Sequence, residues 1–132
     1  MRFLQPYGDH VHAALRIVAG YAFALHGAQK LLGVPGDGDP VALVSLIGLA
    51  GVIELVGGAM IAVGLWTSRA AFIASGEMAV AYFLGHVARG GAFLFPLVNQ
   101  GEPAVLFCFV FLYFAVRGTG RWGIDGLLAG SR

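Results

Sequence analysis

Charge is scarce in this chain. Only 11% of its 132 residues are Asp, Glu, Lys or Arg, against 58% that are hydrophobic. An ordinary soluble domain carries about 25% charge, so too little is present here to wet a globular surface. The apolar excess must face something other than water, and a lipid bilayer fits. Cysteine is scarcer still: Cys108 stands alone. One cysteine excludes both an internal disulfide and a Cys-x-x-Cys exchange centre within the chain. Cys108 reads instead as a small apolar core residue. Runs of Lys and Arg are missing and the net charge is only +1, which argues against a nucleic-acid partner. A P-loop and a dinucleotide fingerprint are also missing; Gly118-x-Gly120 lacks the rest of either motif. The apolar content excludes a disordered chain. No set of metal ligands is read from the sequence.

Long apolar runs are what the sequence does have. A helix crossing about 30 Å of hydrocarbon needs roughly 20 mostly apolar residues. Four stretches meet or approach this: 11–32, 41–65, 70–88 and 103–117. The fourth is short and needs its flanks. The breaks are plain. Residues 33–40 form a turn sequence rich in Gly and Pro, and Trp66-Thr67-Ser68-Arg69 is a tight turn. A longer loop opens at Arg89 and ends at Glu102-Pro103, where Pro suits a first helical position. No repeat or linker divides the chain. The expectation is an all-α, four-helix transmembrane bundle forming one domain over residues 1–132.

Four spans place both termini on one side. Arg2, Arg69, Arg117, Arg121 and Arg132 fall on that side; Lys30 and Arg89 fall on the other, with Asp37, Asp39 and Glu102. The positive-inside rule then puts both termini in the cytoplasm, and Arg16, just inside the first helix, agrees. The first 32 residues make a poor signal peptide, because the basic start is thin and Gln29-Lys30 interrupts the cleavage region. Gly51, Glu54 and Gly58 share one face of helix 2, where small residues favour close helix packing.

Ionisable side chains inside membrane helices cost at least about 2.5–3.5 kcal/mol at the bilayer centre. Helix 1 carries Arg16, His26, Gln29 and Lys30, and Arg16, Gly20, Phe23, Gly27 and Lys30 recur on one face. Helix 2 carries Glu54. Helix 3 carries Glu77, with His86 nine residues on and facing nearly the opposite way. Arg16 and Glu77 lie at similar inner depth and form a candidate structural ion pair. His26, Gln29, Lys30, Glu54 and Glu102 gather toward the outer side as a candidate polar pocket, with Lys30 paired to Glu54 or to Glu102. Such pairs often fix register and do no chemistry. Lys30 can also snorkel to the interface, and His86 reads as a wet interfacial residue. His10 and His12 read as solvated. The functional alternative is a small chamber for a quinone head group or for proton transfer. Haem held by His26 and His86 is not expected. In the third loop, Phe93, Phe95, Pro96, Asn99 and Gln100 read as a lid over such a site or as an interfacial anchor.

Taken in order, these residues resemble the DoxX family of small bacterial membrane proteins over nearly the whole chain. The resemblance rests on Arg16 and Gly20, then His26-Gly27-x-Gln29-Lys30-Leu31, Glu54-x-x-Gly57-Gly58 and Gly64-Leu65-x-x-x-Arg69. It continues through Met78, Ala81-Tyr82, His86 and the segment from Phe95 to Glu102, and ends at Gly118-x-Gly120-Arg121-Trp122-x-x-Asp125. Gly123 departs from the Ser common in the family, which bears on the capping of the tail. The resemblance implies a multi-pass protein of the bacterial inner (plasma) membrane. The family name derives from subunits of a thiosulfate:quinone oxidoreductase, which suggests a link to quinone and redox metabolism. By position it points to His26, Lys30, Glu54 and Glu102.

Three functions follow as expectations. The leading one is a redox-associated subunit that binds quinone or supports a quinone-linked oxidoreductase. A second is a non-enzymatic scaffold or assembly partner for another membrane or exported protein; a membrane or redox partner protein and a homo-oligomer are separate candidate associations. A third is a small proton-coupled transporter, for which four helices leave little room unless two copies associate. Whether the chain is itself an enzyme stays open.

Overall fold

The computed structural model describes residues 1–130; Arg132, counted above toward the cytoplasmic side, lies outside the described residues. All regular structure among the described residues is helical, as expected. After a 3₁₀ turn at Arg2–Tyr7 come α1 (Gly8–Leu32), α2 (Leu46–Val63), α3 (Thr67–Gly90), α4 (Glu102–Arg117) and a short α5 (Ile124–Gly130). The fifth helix adds to the four expected. α2 widens into a π-helical turn at Ile53–Gly57, and α3 does so at Tyr82–Val87.

Helix ends follow local chemistry. α2 starts at Leu46, five residues after the apolar run begins, because Ser45 caps it. The Gly48 N–H donates to Ser45 Oγ at 2.9 Å, and the Ser45 hydroxyl donates to the Ala42 carbonyl at 2.6 Å. An N-cap leaves the helix by geometry, so hydropathy alone overran the start. Gly33 and Gly64 end α1 and α2 in the left-handed conformation, at φ 72° and φ 74°. α3 begins at Thr67, inside what reads from sequence as a turn.

α1 and α2 touch backbone to backbone. A Cβ on Gly20 would lie 2.5 Å from Ala62 N, and one on Gly58 would lie 2.5 Å from Ala24 N. Gly27 likewise faces the backbone of Leu55 and Gly51. Glycine at these points removes the side chain that would separate the helices. Ala70, Ala71, Ala74 and Met78 of α3 share a buried core with Ala104, Phe111 and Phe114 of α4. Phe23 reaches this core from α1, with its ring centroid 4.6 Å from that of Phe111.

Outward faces remain apolar. Val18 and Tyr21 on α1, Phe72 and Ile73 on α3, and Leu106 and Phe109 on α4 are all exposed. Contiguous exposed apolar surface on this scale is foreign to a water-soluble monomer. By length and composition α2 and α3 can cross a membrane. α1 is long enough, at 25 residues, but carries Asp9, Arg16 and Lys30. α4, at 16 residues, rises about 24 Å.

Candidate functional site

Two ionisable side chains from α1 and α2 meet, and a third stands on α3 where that helix packs against the π turn of α2. Lys30 comes from the last turn of α1. Its Nζ donates to Glu54 Oε1 at 2.6 Å. Glu54 is only 2% exposed, whereas the Lys30 side chain is 33% exposed. Glu54 occupies the second position of the π turn in α2, a distortion often found at functional sites. Gly27 and Gly51 allow the approach: a Cβ on Gly51 would press on Leu31 at 2.9 Å and on Lys30 Cβ at 3.2 Å. Glu77 of α3 lies within electrostatic reach of both Glu54 and Lys30. One oxygen of each carboxylate, Glu54 Oε2 and Glu77 Oε2, is buried with no hydrogen-bond partner.

The five-residue pocket read from sequence divides. Lys30 and Glu54 meet. His26 and Gln29 are exposed, and with Ala22, Leu25 and Pro35 they line a shallow depression on α1. The His26 ring stands edge-on to Phe107, at 6.0 Å between centroids. Glu102 is exposed at the start of α4 and is not the partner of Lys30. Sequence reasoning missed Glu77 as the third member. Its signal was its mid-helix position, but its register relative to Glu54 depends on how α2 and α3 pack.

The expected Arg16–Glu77 pair does not form. Arg16 is fully buried and donates instead to four carbonyls: Ile61 at 2.6 Å, Ala62 at 2.7 Å, Trp122 at 3.0 Å and Arg121 at 3.2 Å. Ile61 and Ala62 belong to the last turn of α2. Carbonyls there are left unpaired by the helix and carry the negative end of its dipole, so a planar five-donor guanidinium satisfies them. Gly64 keeps the space open, since a Cβ there would lie 2.8 Å from Arg16 Nη1.

The chain after α4 returns to this end of the bundle. Asp125 accepts from Trp66 N–H at 2.8 Å and Thr67 N–H at 3.1 Å, so it caps α3 from a distant part of the sequence. The Thr119 hydroxyl bonds to both Asp125 and Thr67. Partial burial acts to raise the Asp125 pKa, but the hydrogen bonds from Thr119, Trp66 and Thr67 together outweigh it and hold the carboxyl below the ordinary Asp range. His12 is not solvated as expected. It is 4% exposed, with Nδ1 3.2 Å from the Tyr113 hydroxyl and Nε2 3.0 Å from the Gly118 carbonyl. The returning tail covers it.

The aromatic loop is tied to the far end of α3. Tyr82 donates its hydroxyl to the Phe93 carbonyl at 2.6 Å. Buried Asn99 donates to the Tyr82 hydroxyl and the Gly91 carbonyl, each at 3.3 Å, and its Oδ1 accepts from Gly101 N–H at 2.9 Å. His86 Nδ1 donates to the Asn99 carbonyl at 3.0 Å. Phe93 stacks on Phe83, while Phe93, Phe95 and Gln100 stay exposed and Pro96 is half-buried.

The sequence comparisons agree with one another. The family model described as DoxX matches residues 11–87. An uncharacterized protein of Haemophilus influenzae is 45% identical over 133 residues, covering 95% of this chain and 96% of that protein. No solved structure matches the chain. The family match spans most of α1, α2 and most of α3, the helices that carry Lys30, Glu54 and Glu77, and the relative covers nearly the whole chain. The chain belongs to the DoxX family, a membrane-associated family of helical proteins.

Proposed function

We propose that this chain is a four-span protein of the bacterial inner membrane, with both termini in the cytoplasm. It binds a quinone head group at Lys30 as a subunit or partner of a quinone-linked oxidoreductase. The observation that carries the reading is the 2.6 Å contact between one-third-exposed Lys30 and buried Glu54. Glu54 fixes the ammonium at the edge of an apolar bundle. An ammonium has three N–H donors, and one is spent on Glu54. The others are free to polarise a quinone carbonyl, which only accepts. His26 and Gln29 flank this end of α1 beside a shallow depression with an apolar rim of Ala22, Leu25 and Pro35, as an amphipathic head group and tail require. The topology rests on exposed apolar faces along α1 to α4 and on the bias of Arg toward the termini and the α2–α3 turn. On this reading Phe93 and Phe95 anchor the outer interface.

Purification in mild detergent followed by lipid extraction tests the proposal. Quinone at about one per chain supports it. Quinone-free protein, from a preparation in which a control quinone protein keeps its own, contradicts it.

A scaffold is the second reading. Arg16, with four carbonyls around it, is purely structural by its contacts, and the Lys30–Glu54 pair can serve the same end. That reading expects Lys30 and Glu54 variants to lose fold and partner together, with no separate redox defect.

A further inference from the structure

Behind Lys30 lies a charge imbalance. One ammonium from α1 is hydrogen-bonded to Glu54 of α2, and Glu77 of α3, whose helix packs against the π turn that carries Glu54, lies within electrostatic reach of both. These are the ionisable groups that the three helices bring together among the described residues. From α4, the Cys108 thiol is engaged elsewhere, 3.7 Å from the Ser75 hydroxyl. Lys30 neutralises one negative charge and leaves one over. Buried charge without a counter-charge is costly. The orphaned oxygens locate the imbalance: Glu54 Oε2 and Glu77 Oε2 are both buried and both lack a donor. Glu54, at 2% exposure, has no room at its surface for a bulky ligand. What is missing is a hydrogen atom or a small donor, and the adjacent ammonium disfavours a metal cation.

We infer that the Lys30–Glu54–Glu77 cluster is a proton-binding site that holds one proton on its two carboxylates. Binding forms one O–H bond on Glu54 or Glu77, takes the proton from water, and brings the cluster from one net negative charge to neutrality. The bound proton supplies the donor that one orphaned oxygen lacks. Glu54 is buried within the π turn at Ile53–Gly57, and Lys30, one-third exposed, is the route between the cluster and the outside. The inference shares Lys30 with the quinone reading but does not depend on a quinone being bound.

Infrared difference spectroscopy across a pH titration of the quinone-free protein in lipid nanodiscs tests it, through the deuterium-sensitive C=O band of a protonated carboxyl group. The wild type is expected to show about one such buried group at neutral pH. Glu77→Gln leaves Lys30 and Glu54 balanced, and the band is expected to disappear. Glu54→Gln, which leaves Lys30 opposite Glu77, is expected to do the same. Lys30→Gln, if it folds, is expected to double the band. A wild type without the band overturns the inference, and so does a Glu77→Gln protein that keeps the band in full. Loss of quinone binding in these variants bears on the other reading only, because the band is read with no quinone present.

Discussion

Lys30 Nζ and Glu54 Oε1 stand 2.6 Å apart across the α1–α2 contact, with Lys30 partly open and Glu54 sealed. The asymmetry sets what each single substitution does. Lys30→Met strands a buried carboxylate, for which removing one partner of a buried pair costs about 3–5 kcal/mol. Glu54→Gln leaves Lys30 with Glu77 as its remaining counter-charge and with its exposed side in water, and its cost is expected to stay under about 1.5 kcal/mol. The double variant Lys30→Met/Glu54→Gln is expected to regain most of the loss. Thermal unfolding of the four proteins in one detergent gives the coupling. Equal losses in the two single variants, with no recovery in the double, contradict the pair as described.

Arg16 is expected to hold the tail to the bundle. Arg16→Met leaves the carbonyls of Ile61, Ala62, Arg121 and Trp122 without their donor. Each buried acceptor left unsatisfied costs about 1–3 kcal/mol. Limited proteolysis should cut the Arg121–Trp122 region in Arg16→Met protein and spare the wild type. Arg16→Lys is expected to rescue only in part, because one point charge does not reproduce a planar fork.

Acid should loosen the same tail through Asp125. Its carboxyl is held below the ordinary Asp range in the folded protein. Its contribution is therefore complete above the unfolded Asp pKa of about 3.9 and is lost as pH falls through the lower folded value. Stability is expected to decline below about pH 4 in wild type and to decline less steeply in Asp125→Asn. Substituting this cap is expected to cost about 0.5–2 kcal/mol at neutral pH. A wild-type and Asp125→Asn pair with parallel acid limbs counts against the clasp.

Neighbouring glycines on α2 should behave in opposite ways. A Cβ on Gly58 runs into the α1 backbone at Ala24 N, whereas one on Gly57 meets nothing within 4 Å. Gly58→Ala is expected to destabilise by about 1–3 kcal/mol through overpacking. Gly57→Ala is expected to be neutral or to stabilise by up to about 1 kcal/mol through helix propensity. Melting temperatures of the two variants check this, and Gly20→Ala should resemble Gly58→Ala.

The apolar runs made the helices readable, because hydropathy and turn residues are local signals. Boundaries were less so: Val41 to Ser45 looks like helix by hydropathy, but the Ser45 cap excludes it. Gly51 and Gly58 marked a packing face of α2 without saying which helix it meets; the structure sets it against Gly20 and Gly27 of α1, and Lys30 with Glu54 was one of two pairings the spacing allowed. Arg16 and Glu77 were mismatched for a physical reason. Depth in a membrane can be counted along a sequence, but the direction a side chain faces across three helices depends on packing. Backbone carbonyls, the true partners of Arg16, carry no residue signature. His12 and Asp125 were missed because their partners lie 101 and 58 residues away, brought close only when the tail folds back.

The central claim is tested most directly by quinone affinity. A short-chain quinone titrated into nanodisc-embedded protein should bind saturably to the wild type. The Lys30→Met/Glu54→Gln variant keeps the charge balance but removes the donor, and it should bind at least about tenfold more weakly, the equivalent of about 1.4 kcal/mol for one charge-assisted hydrogen bond. Saturable wild-type binding that weakens in this way supports the account. Binding that is absent from the wild type, or unchanged in the double variant, contradicts it.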